Sequence, residues 1–225
     1  MASDIAKQAA GNAAADLIQD DMLVGLGTGS TAFFFIEKLI ERCRQGLKIS
    51  AVASSERSKQ QALIGGIPIR DINEVTSLDI TADGADEIDQ KKRMIKGGGG
   101  ALLREKILAS MSREMIVIVD ESKLVKQLGK FPLPVEIVPF AYPATIKKIE
   151  DLGFRGEIRQ KDKKIYITDN GNFIFDVHFQ ELCSMPEKIN DALKTIPGVI
   201  ETGFFFNLAT RVLIGQPDGS VVQKN

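Results

Sequence analysis

Met22-Leu23-Val24-Gly25-Leu26-Gly27-Thr28-Gly29-Ser30-Thr31 is the stretch from which the fold of this chain is read. Met22 to Leu26 is a short apolar run bounded by turn residues, the form of a strand buried on both faces. Ala32 to Arg44 follows as a helix that places Phe33, Ile36, Leu39 and Ile40 on one side. Strand, glycine loop and helix start, in that order, set backbone N–H groups and the positive end of the helix dipole toward an anion. The loop is not a dinucleotide fingerprint, because Ser30 takes the third glycine position of G-x-G-x-x-G. The next strand also ends in Ser54 and Ser55 instead of an acidic residue. A P-loop is excluded, since no Gly-Lys-Ser/Thr follows. Two readings remain, a purely structural tight turn and a site for a small phosphorylated ligand.

Outward from that loop, strands and helices alternate. Ser3 to Ile18 reads as a helix, with Ile5, Ala9, Ala13 and Leu17 in phase. Ile49 to Ala53 reads as a strand, and Ser54-Ser55-Glu56 caps a helix from Arg57 to Ile64. Ile67 to Arg70 and Leu78 to Ala82 are expected strands, Ala101 to Met111 a helix and Met115 to Val119 a strand. Near-continuous apolar strands alternating with helices predict an α/β, Rossmann-like domain, a parallel sheet covered on both faces.

The pattern changes at Phe131-Pro132-Leu133-Pro134. Beyond it come a strand (Val135 to Val138), a helix (Ala144 to Leu152) and two strands (Ile158 to Thr168 and Phe173 to Phe179). A helix (Glu187 to Thr195) and a strand (Val199 to Phe206) complete the run. This β-α-β-β-α-β order predicts a small inserted α+β module of the ferredoxin-like kind. Asp169-Asn170-Gly171-Asn172 is a hairpin signal between its middle strands. Arg211 to Ile214 and Ser220 to Val222, around Pro217-Asp218-Gly219, read as a final hairpin returning to the first domain. The expected division is 1–130 plus 208–225 for the catalytic domain and 131–207 for a lid or oligomerisation domain.

Composition narrows the function classes. The 225 residues carry 29 Lys and Arg against 30 Asp and Glu, a net charge of −1, so there is no basic excess for nucleic acid. No apolar run approaches the roughly 18 residues of a membrane helix, and Met1-Ala2-Ser3-Asp4 lacks the form of a signal peptide. The two cysteines, Cys43 and Cys183, match no metal or redox spacing and are expected to be buried thiols in a reducing cytoplasm. The single histidine, His178, alternates with apolar residues and reads as a hydrogen-bonded structural side chain. Phe33-Phe34-Phe35 and Phe204-Phe205-Phe206 are expected core or interface material.

A second cluster of unusual residues lies in Asp83-Gly84-Ala85-Asp86-Glu87-Ile88-Asp89 and Lys96-Gly97-Gly98-Gly99-Gly100, which leads into Ala101-Leu102-Leu103-Arg104-Glu105-Lys106. Four successive glycines are costly to order, and they make sense where backbone N–H groups come close to a ligand. Loop carboxylates, a lysine, bare amides and a helix start are the parts of a proton-transfer site for an anionic, oxygen-rich substrate. Asp83, Asp86 and Asp89 alternatively form a surface turn or a divalent-metal cluster. By position alone, Glu105 does no more than favour the helix dipole or else acts as an acid–base group.

Together with Gly27-Thr28-Gly29-Ser30-Thr31, Asp83 to Glu87 and Lys96 to Gly99, several further motifs resemble the type A ribose-5-phosphate isomerases. These are Asp120-Glu121-Ser122-Lys123, Gly129 to Glu136, Thr168 to Asn172 and Gly215 to Gly219, and the likeness covers nearly the whole chain in order. The family's glycine run is three residues, so Gly100 stands at an alanine-type position and is expected to be a tolerated change. The resemblance implies interconversion of D-ribose 5-phosphate and D-ribulose 5-phosphate, in the non-oxidative branch of the pentose phosphate pathway, with no metal and no organic cofactor. It implies that Glu105 is the base moving a proton between C2 and C1 through an enediolate. Asp83 assists ring opening, Asp86 holds the sugar hydroxyls, and Lys96 with the amides of Gly97, Gly98 and Gly99 stabilises the enediolate oxygen. Lys7, Ser30, Thr31 and Lys123 grip the phosphate, with Thr28, Gly29, Gly84 and Ala85 completing the substrate contacts. A homodimer or a dimer of dimers is implied, with no nucleic-acid or membrane partner. The competing readings are an amino-sugar phosphate deaminase-isomerase, which would be expected to use a histidine, and a non-catalytic sugar-phosphate sensor.

Overall fold

The computed structural model describes residues 2–224. In chain order it contains α1 (Ala2–Asp16), β1 (Leu23–Leu26), α2 (Ser30–Arg44), β2 (Ser50–Ala53), α3 (Glu56–Ile64) and β3 (Leu78–Asp83). Two short strands, β4 (Glu87–Ile88) and β5 (Met94–Ile95), precede α4 (Leu102–Ser110) and β6 (Ser112–Asp120). Then come β7 (Leu133–Ile137), α5 (Tyr142–Asp151), β8 (Arg155–Ile158), β9 (Gln160–Lys161), β10 (Lys164–Ile165) and β11 (Phe173–His178). The chain finishes with α6 (Pro186–Lys194), β12 (Val199–Thr202), β13 (Phe204–Phe205), β14 (Arg211–Gly215) and β15 (Val221–Lys224). Two compact units result: the chain up to Ala85 with Arg104–Leu124 and the chain from Asn207, and Asp86–Leu103 with Val125–Phe206.

The first unit is the α/β domain that the strand–helix alternation predicts. Its sheet has six strands in the order β15-β14-β6-β3-β1-β2, parallel except for the last hairpin strand, β15. Both faces are covered, so its strands are apolar along their length instead of alternating. Ala51 of β2 packs into a core with Ala10, Ala14, Phe35 and Leu39 of α1 and α2, whereas Val52 packs with Leu108 of α4 on the other face. Both α1 and α2 must approach closely: a Cβ on Gly11 would lie 2.8 Å from the Phe35 nitrogen and 3.1 Å from the Thr31 carbonyl oxygen. From β1 the chain moves to one neighbour, β2, and then returns to the other, β3. That reversal is a topological switch point, which opens a crevice at the carboxyl ends of β1 and β3.

The second unit is a four-stranded antiparallel sheet in the order β12-β7-β11-β8, with α5 and α6 in the connections. Numbering its strands by sequence gives 4-1-3-2, the ferredoxin-like arrangement of a β-α-β-β-α-β run. Its core gathers Leu133, Val135, Ile137, Ile149, Phe175, Val177 and Leu193. A three-stranded sheet, β13-β5-β4, belongs to the same unit. Pairing of Phe204 with Ile95 and of Phe205 with Met94 explains why residues 86–103 cluster here, although the expected division placed them in the first domain.

Several local expectations change. Ile67 to Arg70 is not a strand; only Ile69 makes an isolated bridge, to Ala51. The expected strand from Ile158 to Thr168 is cut into β8, β9 and β10, because Asp162 and Lys163 both adopt positive φ and fold β9 back on β10. The turn at Asp169 to Asn172 does form, closed by Thr168 N–H to Asn172 C=O at 2.9 Å, but the strand paired with β11 is β8. The strand from Val199 to Phe206 breaks at Gly203, whose N–H donates to the Pro134 carbonyl at 2.7 Å, so β12 and β13 enter different sheets. His178, expected as a hydrogen-bonded structural side chain, is half exposed, with its ring nitrogen 3.6 Å from Glu157. Phe204 and Phe205 are fully buried, whereas Phe33 is exposed and Phe35 is core. Cys183 is buried and Cys43 half-buried. Among the described residues no helix is long and apolar enough to cross a membrane.

Candidate active site

In the first unit the expected site residues collect at the carboxyl edge of the parallel sheet. Gly27 to Gly29 connect β1 to α2, and Gly29 at φ 111° caps the helix without a side-chain hydrogen bond. The first amides of α2, from Ser30 and Thr31 onward, are therefore turned out at a helix N-terminus, which favours an anion. Gly29 and Ser30 are exposed, and Thr31 is buried. Lys7 stands one helical turn before Gly11, on the same face of α1, and Gly11 rests on the first turn of α2. Lys123 ends the short 3-10 turn Glu121–Lys123 directly after β6, a turn that Asp120 caps by accepting from the Ser122 amide at 3.0 Å.

Asp83 ends β3 on the other side of the switch point, and it is fully buried. Its Oδ1 accepts from Thr28 N–H at 2.9 Å and from Gly84 N–H at 2.8 Å, so one carboxylate oxygen joins the ends of β1 and β3. Gly27 has to be glycine here, because a Cβ would overlap the Asp83 carboxylate. Glu105 lies in the first turn of α4 and is 3% exposed. Arg104 beside it meets Glu56 of the first turn of α3 at 3.0 Å, which sets the start of α4 next to the start of α3.

In the second unit Lys96 follows β5 and is 2% exposed, with its ammonium 5.3 Å from the centroid of the Phe205 ring. Its backbone N–H donates to the Gly203 carbonyl at 2.8 Å. The glycines after it make a tight turn, with Gly97 at φ 103° and Gly100 closing it by N–H to Gly97 C=O at 2.9 Å. Asp86 accepts from Gly98 N–H at 2.8 Å, so one of the three amides expected to face the enediolate donates to a carboxylate here. Asp89 is bound by Arg93 at 2.7 Å and accepts from the amides of Lys91 and Arg93, which makes it part of a structural turn. The three-aspartate metal reading thereby loses its third carboxylate. Glycine at the alanine-type position 100 is not merely tolerated but favoured by the local geometry. It sits at φ 84°, and a Cβ there would overlap the Tyr166 ring and hydroxyl.

This geometry invites comparison with known proteins. A sequence model described as ribose 5-phosphate isomerase A (phosphoriboisomerase A) matches residues 50–219. The chain belongs to that family. A ribose-5-phosphate isomerase A of Protochlamydia amoebophila is 55% identical, the alignment covering 95% of this chain and 93% of that protein. One from Bacillus mycoides is 48% identical over 95% and 96% of the two chains. The solved ribose 5-phosphate isomerase of Plasmodium falciparum superposes with a TM-score of 0.95 at 37% identity, over 99% of this chain and 98% of that one. A D-ribose-5-phosphate isomerase solved in complex with phospho-erythronic acid gives 0.92 at 40% identity, over 97% of each chain.

Several residues that hold the family's motifs in place carry no local sequence signal. Thr28 Oγ1 lies 2.7 Å from Ser54 Oγ and 2.9 Å from Ser55 Oγ, and Ser58 donates to the Gly27 carbonyl at 2.7 Å. This chain of hydroxyls pins the first glycine loop from beneath. Buried Glu87 accepts from the Gly129 and Phe131 amides, both at 2.7 Å, which accounts for the Gly129 to Glu136 motif as structure. Fully buried Glu136 accepts through one oxygen from Thr168, Asn170 and Asn172, which accounts for the Thr168 to Asn172 motif. Only the acid-and-amide composition of those motifs hints at such bonds.

Proposed function

We propose that this chain is a ribose-5-phosphate isomerase that interconverts D-ribose 5-phosphate and D-ribulose 5-phosphate through an enediolate, without metal or organic cofactor. The observation that carries the reading is the carboxyl edge at the switch point. An uncapped helix N-terminus, held to the buried Asp83 through Thr28, lies on the sheet edge from which Glu105 begins its helix. Glu105 acts as the base between C2 and C1, Asp83 assists ring opening, and Asp86 holds the sugar hydroxyls. Lys7, Thr28, Gly29, Ser30, Thr31 and Lys123 take the phosphate end, with Gly84 and Ala85 lining the sugar.

The intermediate carries negative charge that the neutral sugar lacks, so fixed positive groups favour it over the ground state. Lys96 and the amides of Gly97 and Gly99 are those groups, the Gly98 amide being taken by Asp86. With that field in place a divalent ion has no task left in polarising the carbonyl. The protein works in the cytoplasm as a homodimer or a dimer of dimers, the second unit serving as interface or lid. Exposed Phe140, Ile167, Leu182 and Met185 give that unit apolar surface, in place of the phenylalanines of β13, which are core.

The test is direct. Purified protein given D-ribose 5-phosphate should produce ketopentose phosphate at the same rate with and without EDTA. No turnover by pure folded protein would sink the isomerase reading, and activity lost to EDTA and restored by Mg²⁺ would bring the metal reading back. Sedimentation at micromolar concentration should show a species heavier than the 24.6 kDa monomer.

A further inference from the structure

The glycine turn of the second unit is built from residues with the least conformational preference, yet its amides must hold fixed directions to stabilise an oxyanion. Something has to orient them. The guanidinium of Arg159 donates from Nη1 to the carbonyls of Gly97 and Gly98, at 2.7 Å and 3.2 Å. Its other edge is gripped by Asp176, Nε to Oδ2 at 2.8 Å and Nη2 to Oδ1 at 2.5 Å. Both side chains are only 16% exposed. Asp176 sits inside β11, between β7 and β8, so the grip is anchored on paired backbone.

In a trans peptide the C=O and the following N–H point in opposite directions. No cis peptide bond occurs among the described residues. Drawing the Gly97 carbonyl toward Arg159 therefore sends the Gly98 N–H the other way, and it reaches Asp86 at 2.8 Å. Drawing the Gly98 carbonyl to the same guanidinium sends the Gly99 N–H to that side as well. Gly99 is exposed, and its N–H finds no acceptor among the described residues. Two successive amides thus face one side, with a cation on the carbonyl side aligning their dipoles; Asp86 takes the Gly98 amide, and the Gly99 amide is left facing outward. The same hairpin holds the far end of the turn: Tyr166 N–H donates to the Arg159 carbonyl at 2.8 Å, and its ring covers Gly100.

We infer that Arg159, held by Asp176, is a positioning residue that orients the Gly99 amide toward the oxygen that becomes negative in the enediolate, while the Gly98 amide on the same side holds Asp86. It touches no reacting atom. The inference rests on the isomerase reading proposed above. A lysine at this position cannot hold two carbonyls and a carboxylate in one plane, because only the guanidinium fork presents donors on three edges.

The experiment compares wild type, Arg159→Lys and Asp176→Asn in kcat, KM and inhibition by two phosphate esters. Phospho-erythronic acid carries a carboxylate, a charge like that of the enediolate, whereas ribitol 5-phosphate is a neutral polyol at the same end. Arg159→Lys should lower kcat by about 10- to 100-fold, with KM within about 3-fold, because amide orientation matters in the transition state. Binding of phospho-erythronic acid should weaken by about 10-fold and that of ribitol 5-phosphate should not change, since only the former meets the oriented amide. Asp176→Asn should move the same quantities in the same direction by less. Turnover of Arg159→Lys within about 2-fold of wild type, or equal weakening of both inhibitors, overturns the inference. Failure of both variants to fold overturns it too, since Arg159 would then be a structural clamp only. An inactive wild type would refute the isomerase reading itself, an outcome separate from any of these ratios.

Discussion

The backbone N–H of Thr28 donates to Oδ1 of Asp83 at 2.9 Å, across 55 residues of sequence. This one bond joins the loop offered for a phosphate to a carboxylate assigned to the sugar. It exists because β1 and β3 are neighbours whose chain connections leave in opposite directions. The same Asp83 oxygen also accepts from the Gly84 amide, at 2.8 Å, so the carboxylate is held in a fixed orientation at the end of β3.

Glu105→Gln should keep the fold and lose most turnover. The substitution keeps the volume of a side chain that is 3% exposed but removes the basic oxygen. A positioned general base contributes about 10²–10⁴ in rate, roughly 3–5 kcal/mol of barrier. Steady-state rates beside thermal unfolding check this, and a variant within a few-fold of wild type would end the base assignment.

Phosphate grip and chemistry should separate kinetically. The phosphate charge does not change during proton transfer, so contacts to it raise affinity without raising the limiting rate. Lys7→Ala and Lys123→Ala should mainly raise KM for ribose 5-phosphate, and free ribose should be nearly indifferent to them. Lys96→Ala should instead depress kcat. Identical kinetic signatures for Lys123→Ala and Lys96→Ala would show the division to be mistaken.

Gly100→Ala should destabilise the protein through Tyr166. A left-handed non-glycine residue costs about 1–2 kcal/mol, and overlap with the Tyr166 ring adds roughly 1–3 kcal/mol of overpacking. Tyr166→Ala in the same chain should recover the overlap but not the backbone strain. A double-mutant cycle in urea measures the coupling, and strict additivity would contradict the contact.

Glu87→Gln should cost roughly 1–3 kcal/mol of stability. Both carboxylate oxygens of Glu87 are occupied by amides, from Gly129 and Phe131. A glutamine amide would set its own N–H groups against one of them. An unchanged urea midpoint at unchanged slope is the result that would count against this account.

Burial pushes the Cys183 thiol up to about 11; the Met185 backbone and Arg93 oppose it more weakly, and Glu187 adds slightly to it. The folded state therefore holds its proton above the ordinary thiol value of 9.0, and the unfolded state releases it. The contribution is fully present below pH 9.0 and is lost as pH rises toward about 11. Between those limits stability should fall by about 1.4 kcal/mol per pH unit more in wild type than in Cys183→Ala. Equal pH profiles for the two proteins would rule this out, as would rapid alkylation of the folded protein's Cys183 at pH 8.

Much of the first unit was legible because its signals are local. The apolar run of β1, the phase of Phe35, Ile36 and Leu39 in α2 and the Ser55 cap of α3 are properties of neighbouring residues. Even there α2 begins at Ser30, two positions before its apolar phase, because the glycine loop feeds it directly. β4 and β5 have two residues each, too short for any period, and they exist only as partners of one another and of β13. Ile67 to Arg70 alternates like a strand but stays a single bridge.

The site divides along the same line. The sequence by itself determined which chemical groups are available: two glycine loops, each leading into a helix, carboxylates at Asp83, Asp86 and Glu105, and a lysine at Lys96. It did so because backbone freedom, charge and helix starts depend on residue type and near neighbours. Only the tertiary structure decided which way those groups face. The Arg159 grip on Gly97 spans 62 residues, and the Glu87 bonds to Gly129 and Phe131 span 42 and 44. Gly100 likewise changed from a tolerated substitution to a required glycine once Tyr166 lay against it. Such contacts follow from strand pairing and packing of distant segments, and no local pattern encodes a direction set by a partner that far along the chain.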